Sequence, residues 1–395
     1  MSASVHTYDE VYDLVSRAEQ FVDRRSPEAL PLAEQIMQQA VQNRSAHLFA
    51  LSNYIQAFYN CVVLNDYDKS ITLCEQAIDR LSEDGEMDIA YMLYMTLGNA
   101  YQFRGEVFSA QEHYMKGLKQ LEDRTQLNKR EKGFLASFYY NLSLVMGTTK
   151  LNIDSEEYLL KAIKLYEETE NYFKLSKSYG AYTWLLEKRQ EFDKAIETTQ
   201  KALDIDLRLN DPFSIAVSRA NLGLLYLRIK EIDNAFAQLQ EALNYFTETN
   251  SLYYMAMVKN NVGETLCAIG KLKEGIEQLH EAEKLFLQLE NKQELTSVYL
   301  ALSRYYKADK QFETALEYMS KHLEGVNKFY DLEKTNALTR AKKEFETEQK
   351  EKEARLLKEK NEQISLYVHK LEVSNNELKQ FAHVASHDMR EPLRM

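Results

Sequence analysis

Proline and glycine are scarce in this sequence, with 4 and 12 examples among 395 residues. Both residue types break helices, so their scarcity, beside abundant Leu, Ala, Glu, Lys and Gln, predicts helix almost throughout. Cysteine is scarcer still. Cys61, Cys74 and Cys267 are odd in number, lack metal-ligand spacing and fall on apolar helix faces. That argues against a disulfide framework and a zinc site, and points to buried thiols in a reducing compartment. No apolar run approaches the roughly 20 residues that span a membrane. The first 26 residues are polar and lack the apolar centre of a signal peptide. A cytoplasmic location is therefore expected. Positive charge is in deficit too: 49 Lys and Arg stand against 61 Asp and Glu, a net charge of −12. This disfavours a nucleic-acid surface, which needs clustered cations to displace counterions. No glycine-rich phosphate loop occurs, so the chain has no recognisable means of binding ATP.

What is present is an internal period. Leu97-Gly98, Tyr101, Gly105, Ala110, Tyr114 and Gly117 set a frame. The same offsets recur at Leu222-Gly223, Tyr226, Ala235, Leu239 and Ala242, and at Val262-Gly263, Leu266, Gly270, Gly275, Leu279 and Ala282. Weaker copies bring the units to seven, beginning near 51, 91, 136, 176, 216, 256 and 296, forty residues apart with one gap of forty-five. Ala33, Met37 and Ala40 mark a degenerate leading unit. Small residues recur at two places: Gly98, Ser143, Thr183, Gly223, Gly263 and Ser303 on a first helix, and Ser70, Ala110, Ser155, Ala195, Ala235, Gly275 and Ala315 on a second. Small side chains there let two helix backbones approach closely. Phe58 and His322, in the first and last units, depart from the small-residue rule.

This pattern resembles the tetratricopeptide repeat, whose usual period is about 34 residues, in a longer-helix variant. The resemblance covers roughly residues 14 to 325 and implies an all-α, right-handed solenoid of helix pairs with a concave groove. Asn141, Asn221 and Asn261 share one place on the first helix, where peptide-binding members of the family carry an asparagine that bonds the ligand backbone. An amide suits that task because it both donates and accepts; a solvated or inter-repeat asparagine is the alternative. Lys and Arg do not line up at equivalent places of successive units, so a clamp for a C-terminal carboxylate is not expected. The 26 Tyr, the 17 Phe and Trp184 mostly fill packing places.

The repeat pattern stops near Val326 and charge density rises. A heptad series then emerges: Leu357, Ile364, Leu371, Leu378 and Ala385 at d, with Asn361, Val368, Asn375, Ala382 and Met389 at a. Asparagine at a costs stability but favours a parallel, in-register pair. A homodimer through 357–395 is expected.

The last fifteen residues contain Phe381, Ser386-His387-Asp388, Arg390 and Pro392-Leu393. This resembles the H-box of sensor histidine kinases. The resemblance implies that His387 accepts phosphate from ATP and passes it to a response regulator, with Asp388 as general base or orienting group. His387 falls at heptad position f, the outward face, and neutral imidazole is nucleophilic near pH 7. His383 and His387 stand four apart but no third ligand accompanies them, so no metal is expected. Glu391 stands where many family members place Thr or Asn for dephosphorylating the regulator.

The domain expectation is a degenerate helical cap at 1–50, about seven repeats at 51–325, a coiled-coil signalling helix at 326–376, and the start of a dimerisation and phosphotransfer domain at 377–395. ATP with Mg belongs to a catalytic domain expected in a longer parent kinase; the chain itself needs no cofactor. The expected ligand of the repeats is a peptide or protein segment. Two alternatives remain: a non-enzymatic dimeric scaffold, or a cytoplasmic peptide receptor.

Overall fold

The structure, a computed structural model, describes residues 8–23, 26–81, 87–147 and 152–328, with scattered positions between 352 and 379. Its contacts divide the chain into two units, Met1–Leu323 and Glu324–Met395.

The first unit is built from helix pairs. They are α1 and α2 (Tyr8–Asp23, Ala29–Asn43), α3 and α4 (Ala46–Tyr59, Tyr67–Arg80), α5 and α6 (Met87–Phe103, Val107–Glu122), and α7 and α8 (Lys129–Gly147, Asn152–Thr169). There follow α9 and α10 (Tyr172–Lys188, Phe192–Leu209), α11 and α12 (Pro212–Arg228, Ile232–Glu248), and α13 and α14 (Leu252–Ala268, Leu272–Gln288). The last pair is α15 (Lys292–Ala308) and α16, helical over 312–328. Every helix packs on the next. Odd-numbered helices also touch one another, as α3 does α5, α5 does α7 and α13 does α15. The odd helices thus form one layer and the even helices the other, the arrangement of a repeat solenoid.

The turns show why the period survives in a sequence so poor in glycine. From α8 to α14 each even helix ends on a left-handed residue forty positions after the last: Glu170, Asn210, Asn250 and Glu290, all with φ between 50° and 57°. The next residue folds its N–H back five positions, as from Asn171 to Tyr166 O at 3.0 Å and from Ser251 to Phe246 O at 2.9 Å. This closes the orphan carbonyls of the helix end. At Asn171, Asp211 and Asn291 the same residue then caps the following helix with its side chain.

The small residues sit at helix crossings. All members of the second-helix series are buried. A Cβ on Gly263 would stand 2.8 Å from Gly275 O, closer than real contacts allow. Elsewhere hydroxyls close the crossing: Ser155 Oγ donates to Ser143 O and Ser303 Oγ to Ala315 O, each at 2.8 Å. In the first unit the helix departs from the sequence frame. The fully buried small residue there is Ala57 rather than Phe58, and α3 continues into a π-helical turn, Asn60–Leu64. A π turn holds one extra residue and so shifts the register of the residues downstream of it.

The forty-five-residue gap has a local cause. Between α6 and α7 the chain makes a longer connection instead of the tight turn. Glu131, 4% exposed, anchors it by accepting from the Asn128 N–H at 2.9 Å and pairing with Arg124, while Asn128 Oδ1 accepts from the Glu131 N–H at 2.9 Å. That is a reciprocal capping box.

One column of the core is interrupted. Tyr166, Phe246 and Phe286 occupy equivalent places and are buried, but the matching residue of the fourth repeat is Asp206. Its carboxylate accepts from Ser176 Oγ of α9 at 2.5 Å and Ser218 Oγ of α11 at 2.7 Å. Burial pushes its pKa up, against the two hydroxyls that favour the charged form. The two larger apolar clusters on either side end at Ile205 and begin at Ala216, and a small one of Leu186, Ala195 and Leu225 lies between them.

In the second unit the described residues between 352 and 379 are helical and exposed, among them Leu357, Ile364, Val368, Leu371 and Leu378 of the heptad series. His387 and Asp388 lie outside the described residues, as does the rest of 381–395.

Candidate functional site

The odd-numbered helices of the first four pairs and α9 enclose a cavity of about 660 Å³, a size typical of ligand sites. Its apolar wall comes from Tyr54 and Phe58 of α3, Met92 and Met95 of α5, Phe134 and Tyr140 of α7, and Phe173 of α9. Phe58 therefore has a place in the cavity lining, which accounts for a large side chain where other units carry a small one.

The amide and charged groups come from four helices, α1, α5, α7 and α9. Asn99 of α5 and Asn141 of α7 meet, with Asn141 Nδ2 donating to Asn99 Oδ1 at 3.2 Å. Tyr114, fully buried behind them, donates its hydroxyl to the same Asn99 oxygen at 2.6 Å. Among the described residues this leaves Asn99 Nδ2 and Asn141 Oδ1 with no hydrogen-bond partner. One amide donor and one amide acceptor, held side by side, match what a peptide unit offers. Three cations line the cavity as well: Arg130, Lys174 and Lys177. Arg130 pairs with Asp88 at 3.3 Å and lies 4.8 Å from the centre of the Tyr12 ring. Lys174 Nζ donates to Ser137 Oγ at 2.8 Å, and Lys177 Nζ sits 4.1 Å from the centre of the Phe173 ring. Among the described residues Glu19 is the one carboxylate of the lining, and it accepts the Tyr54 hydroxyl at 2.6 Å. Burial raises the pKa of the Tyr140 and Tyr166 phenols, so neither adds negative charge near neutral pH.

The three asparagines singled out by the repeat have different surroundings. Asn141 lines the cavity. Asn221 lies half-buried on α11, away from it. Asn261 is 6% exposed on α13, and its side-chain oxygen accepts from Asn260 Nδ2 at 3.4 Å. The cations answer differently from expectation: they occupy non-equivalent repeat places, yet the fold gathers them around one space. Asn99 was missed as well, because its place is held elsewhere by Leu144, Trp184, Leu224, Glu264 and Arg304. A polar residue directly after the small one on an inner helix was the available signal.

Other candidate chemistry resolves into packing. Cys61, Cys74 and Cys267 are free and buried, and burial pushes the Cys61 and Cys267 thiols up to about 12. His113 stacks on Tyr101 and burial lowers its pKa to about 4. His280 contacts Glu283 and the Tyr306 hydroxyl. Among the described residues no group of three His, Cys, Asp or Glu could hold a metal, and no helix is long and apolar enough to cross a membrane.

No family model matches the sequence, and no curated protein matches it. Solved structures do resemble the fold. A Rap protein complexed with Competence and Sporulation Factor matches with a TM-score of 0.57 at 14% identity, over 82% of this chain and 99% of that one. The apo quorum sensor NprR from B. thuringiensis gives 0.58 at 14%, over 82% and 89%. A signal-transduction ATPase with a tetratricopeptide-repeat sensor from Pyrococcus horikoshii gives 0.59 at 13%, over 84% of this chain and 55% of that one. At such identities the likeness establishes the fold alone, and that fold is a tetratricopeptide-repeat solenoid.

Proposed function

We propose that this chain is a peptide-sensing repeat module whose cavity receives an extended peptide or protein segment. The observation that carries this reading is the Asn99–Asn141 pair, which leaves one amide donor and one amide acceptor beside an aromatic wall. Two proteins of similar fold are described as a quorum sensor and as a complex with Competence and Sporulation Factor, which supports a receptor role over a purely structural one. Asn141 is the ligand-contacting member of the sequence trio. Asn221 and Asn261 stand outside this cavity.

The sequence adds an output. Residues 357–395 form a parallel homodimer through the heptad series, and His387, with Asp388 as its base, accepts phosphate from ATP supplied by a kinase catalytic domain and passes it to a response regulator. This part rests on the motif around His387 and on the exposed apolar stripe from Leu357 to Leu378.

The binding claim is tested by selecting peptides on the immobilised full chain and titrating the best of them. Asn141→Ala should weaken binding about five- to tenfold, the worth of one hydrogen bond to a buried partner, with the thermal unfolding midpoint held within a few degrees. Unchanged affinity would remove the amide pair from the site. The output claim is tested by adding a histidine-kinase ATP-binding domain and labelled ATP. Acid-labile label should appear on the wild type and vanish in His387→Gln.

A further inference from the structure

The cavity has the wrong charge for this protein. The chain carries a net charge of −12, yet three cations and one carboxylate line its inner cavity. A proportional sample of the chain's 49 basic and 61 acidic residues would hold slightly more carboxylates than cations. The carboxylate, Glu19, is already engaged by the Tyr54 hydroxyl, and Arg130 is partly balanced by Asp88. Lys174 and Lys177 stand one turn apart on the exposed side of α9, and both line the cavity. Among the described residues Lys177 has no carboxylate partner; its charge rests on the Phe173 ring at 4.1 Å. The rings of Phe58, Phe134 and Phe173 lie in the same lining.

We infer that the cavity selects an acidic peptide, with a carboxylate received by Lys174 and Lys177 and an apolar side chain beside it against the phenylalanines. This rests on the peptide reading above and specifies its ligand. A peptide bearing Lys or Arg at that position would meet like charge in a partly enclosed site, which is costly and slows encounter. A carboxylate gains both on-rate and selectivity from the same groups. The neutral amide pair fixes the backbone while the lysines choose the side chain. Because ammonium groups on flexible stems act as point charges rather than as a planar fork, Asp and Glu should both be accepted.

The carboxylate could belong to a side chain or to the peptide's C-terminus. The experiment separates these. A heptapeptide library with free C-termini is captured on the immobilised full chain and, in parallel, on Lys174→Glu/Lys177→Glu, whose folding is checked by thermal unfolding. Enriched peptides are resynthesised with free and with amidated C-termini and titrated by fluorescence anisotropy at 50 and 200 mM salt. The expected result is enrichment of Asp and Glu on the wild type, at least tenfold weaker binding of those peptides to the double variant, and several-fold weaker binding at the higher salt. Loss on amidation would assign the carboxylate to the terminus, and indifference to amidation would assign it to a side chain. Enrichment without acidic residues, or equal binding by the double variant, would overturn the inference and leave the peptide site standing. No enrichment on either protein would overturn the peptide reading itself, and this inference with it.

Discussion

The solenoid has two halves that follow different rules. From α9 to α16 the repeat is nearly mechanical: first helices begin at 172, 212, 252 and 292, and left-handed residues recur at Gln190, Lys230, Gly270 and Lys310. Even the cross-braces repeat. Arg219 donates to Gln238 and pairs with Glu241, and Lys259 does the same with Gln278 and Glu281 forty residues on. From α1 to α8 the period is broken by the π turn in α3, by the large Phe58 and by the long connection held by Glu131. The cavity lies in this irregular half and reaches only the first helix of the regular one. A strict repeat offers every helix the same neighbours and fills the space between them. Departures from the repeat leave space, and bring unlike side chains around it.

The comparison can be broken by attacking the regular half where it is fully packed. Phe246→Ala, removing a fully buried ring, should cost about 3–5 kcal/mol. In a chain stabilised by nearest-neighbour contacts, the loss should spread to α11 and α13 before the cavity helices. Hydrogen exchange would show this as early opening of residues 212–268, and simultaneous opening of α3 to α7 would argue against two distinct halves. Next in size is Gly263→Ala. Helix propensity favours alanine by about 1 kcal/mol, but the new methyl meets the Gly275 carbonyl, which cannot swing aside. A net loss of about 1–3 kcal/mol in denaturant unfolding is expected.

The buried acid inside the regular half gives a pH test. Burial raises the Asp206 carboxyl above its ordinary value, so the folded chain holds this proton more tightly than the unfolded chain does. Its contribution to stability is therefore fullest below the ordinary carboxyl range and is lost as pH rises through the raised value. Asp206→Asn keeps the shape without the charge. The variant should be the more stable at pH 7, and its advantage should shrink as pH is lowered to 4; an advantage that grows instead would mean the hydroxyls outweigh burial. The smallest effect belongs to the turns. Lys230 sits at φ 64°, a conformation that costs a residue with a Cβ about 1 kcal/mol. Lys230→Gly should raise stability by up to that amount and leave peptide binding unchanged.

Much of this architecture is legible in the sequence because helix crossings demand small residues at fixed offsets, and those offsets recur. The turns are also partly written: an asparagine or glutamate before an asparagine, aspartate or serine, at 170–171, 210–211, 250–251 and 290–291. The Asn-Lys-Arg-Glu run at Asn128–Glu131 announces its capping box. Turns such as Lys230-Glu231 are not legible, since nothing about lysine suggests a left-handed backbone. The cavity is the least legible part. Repeat logic looks for equal places, and so it chose Asn141, Asn221 and Asn261 together. A site made by breaking the repeat draws instead on unequal ones, such as Asn99, Arg130, Lys174 and Lys177. Asp206 could have been noticed as an acid in a column otherwise aromatic from Tyr166 to Phe286.

The three thiols turn this folded chain into its own stopwatch. Only the thiolate attacks an alkylating reagent, and burial holds Cys61 and Cys74 near one end of the solenoid, and Cys267 near the other, in the inert form. Each can be labelled only while its own helix pair stands open, so a single native chain, without any dye or mutation, records separately how often each end breathes.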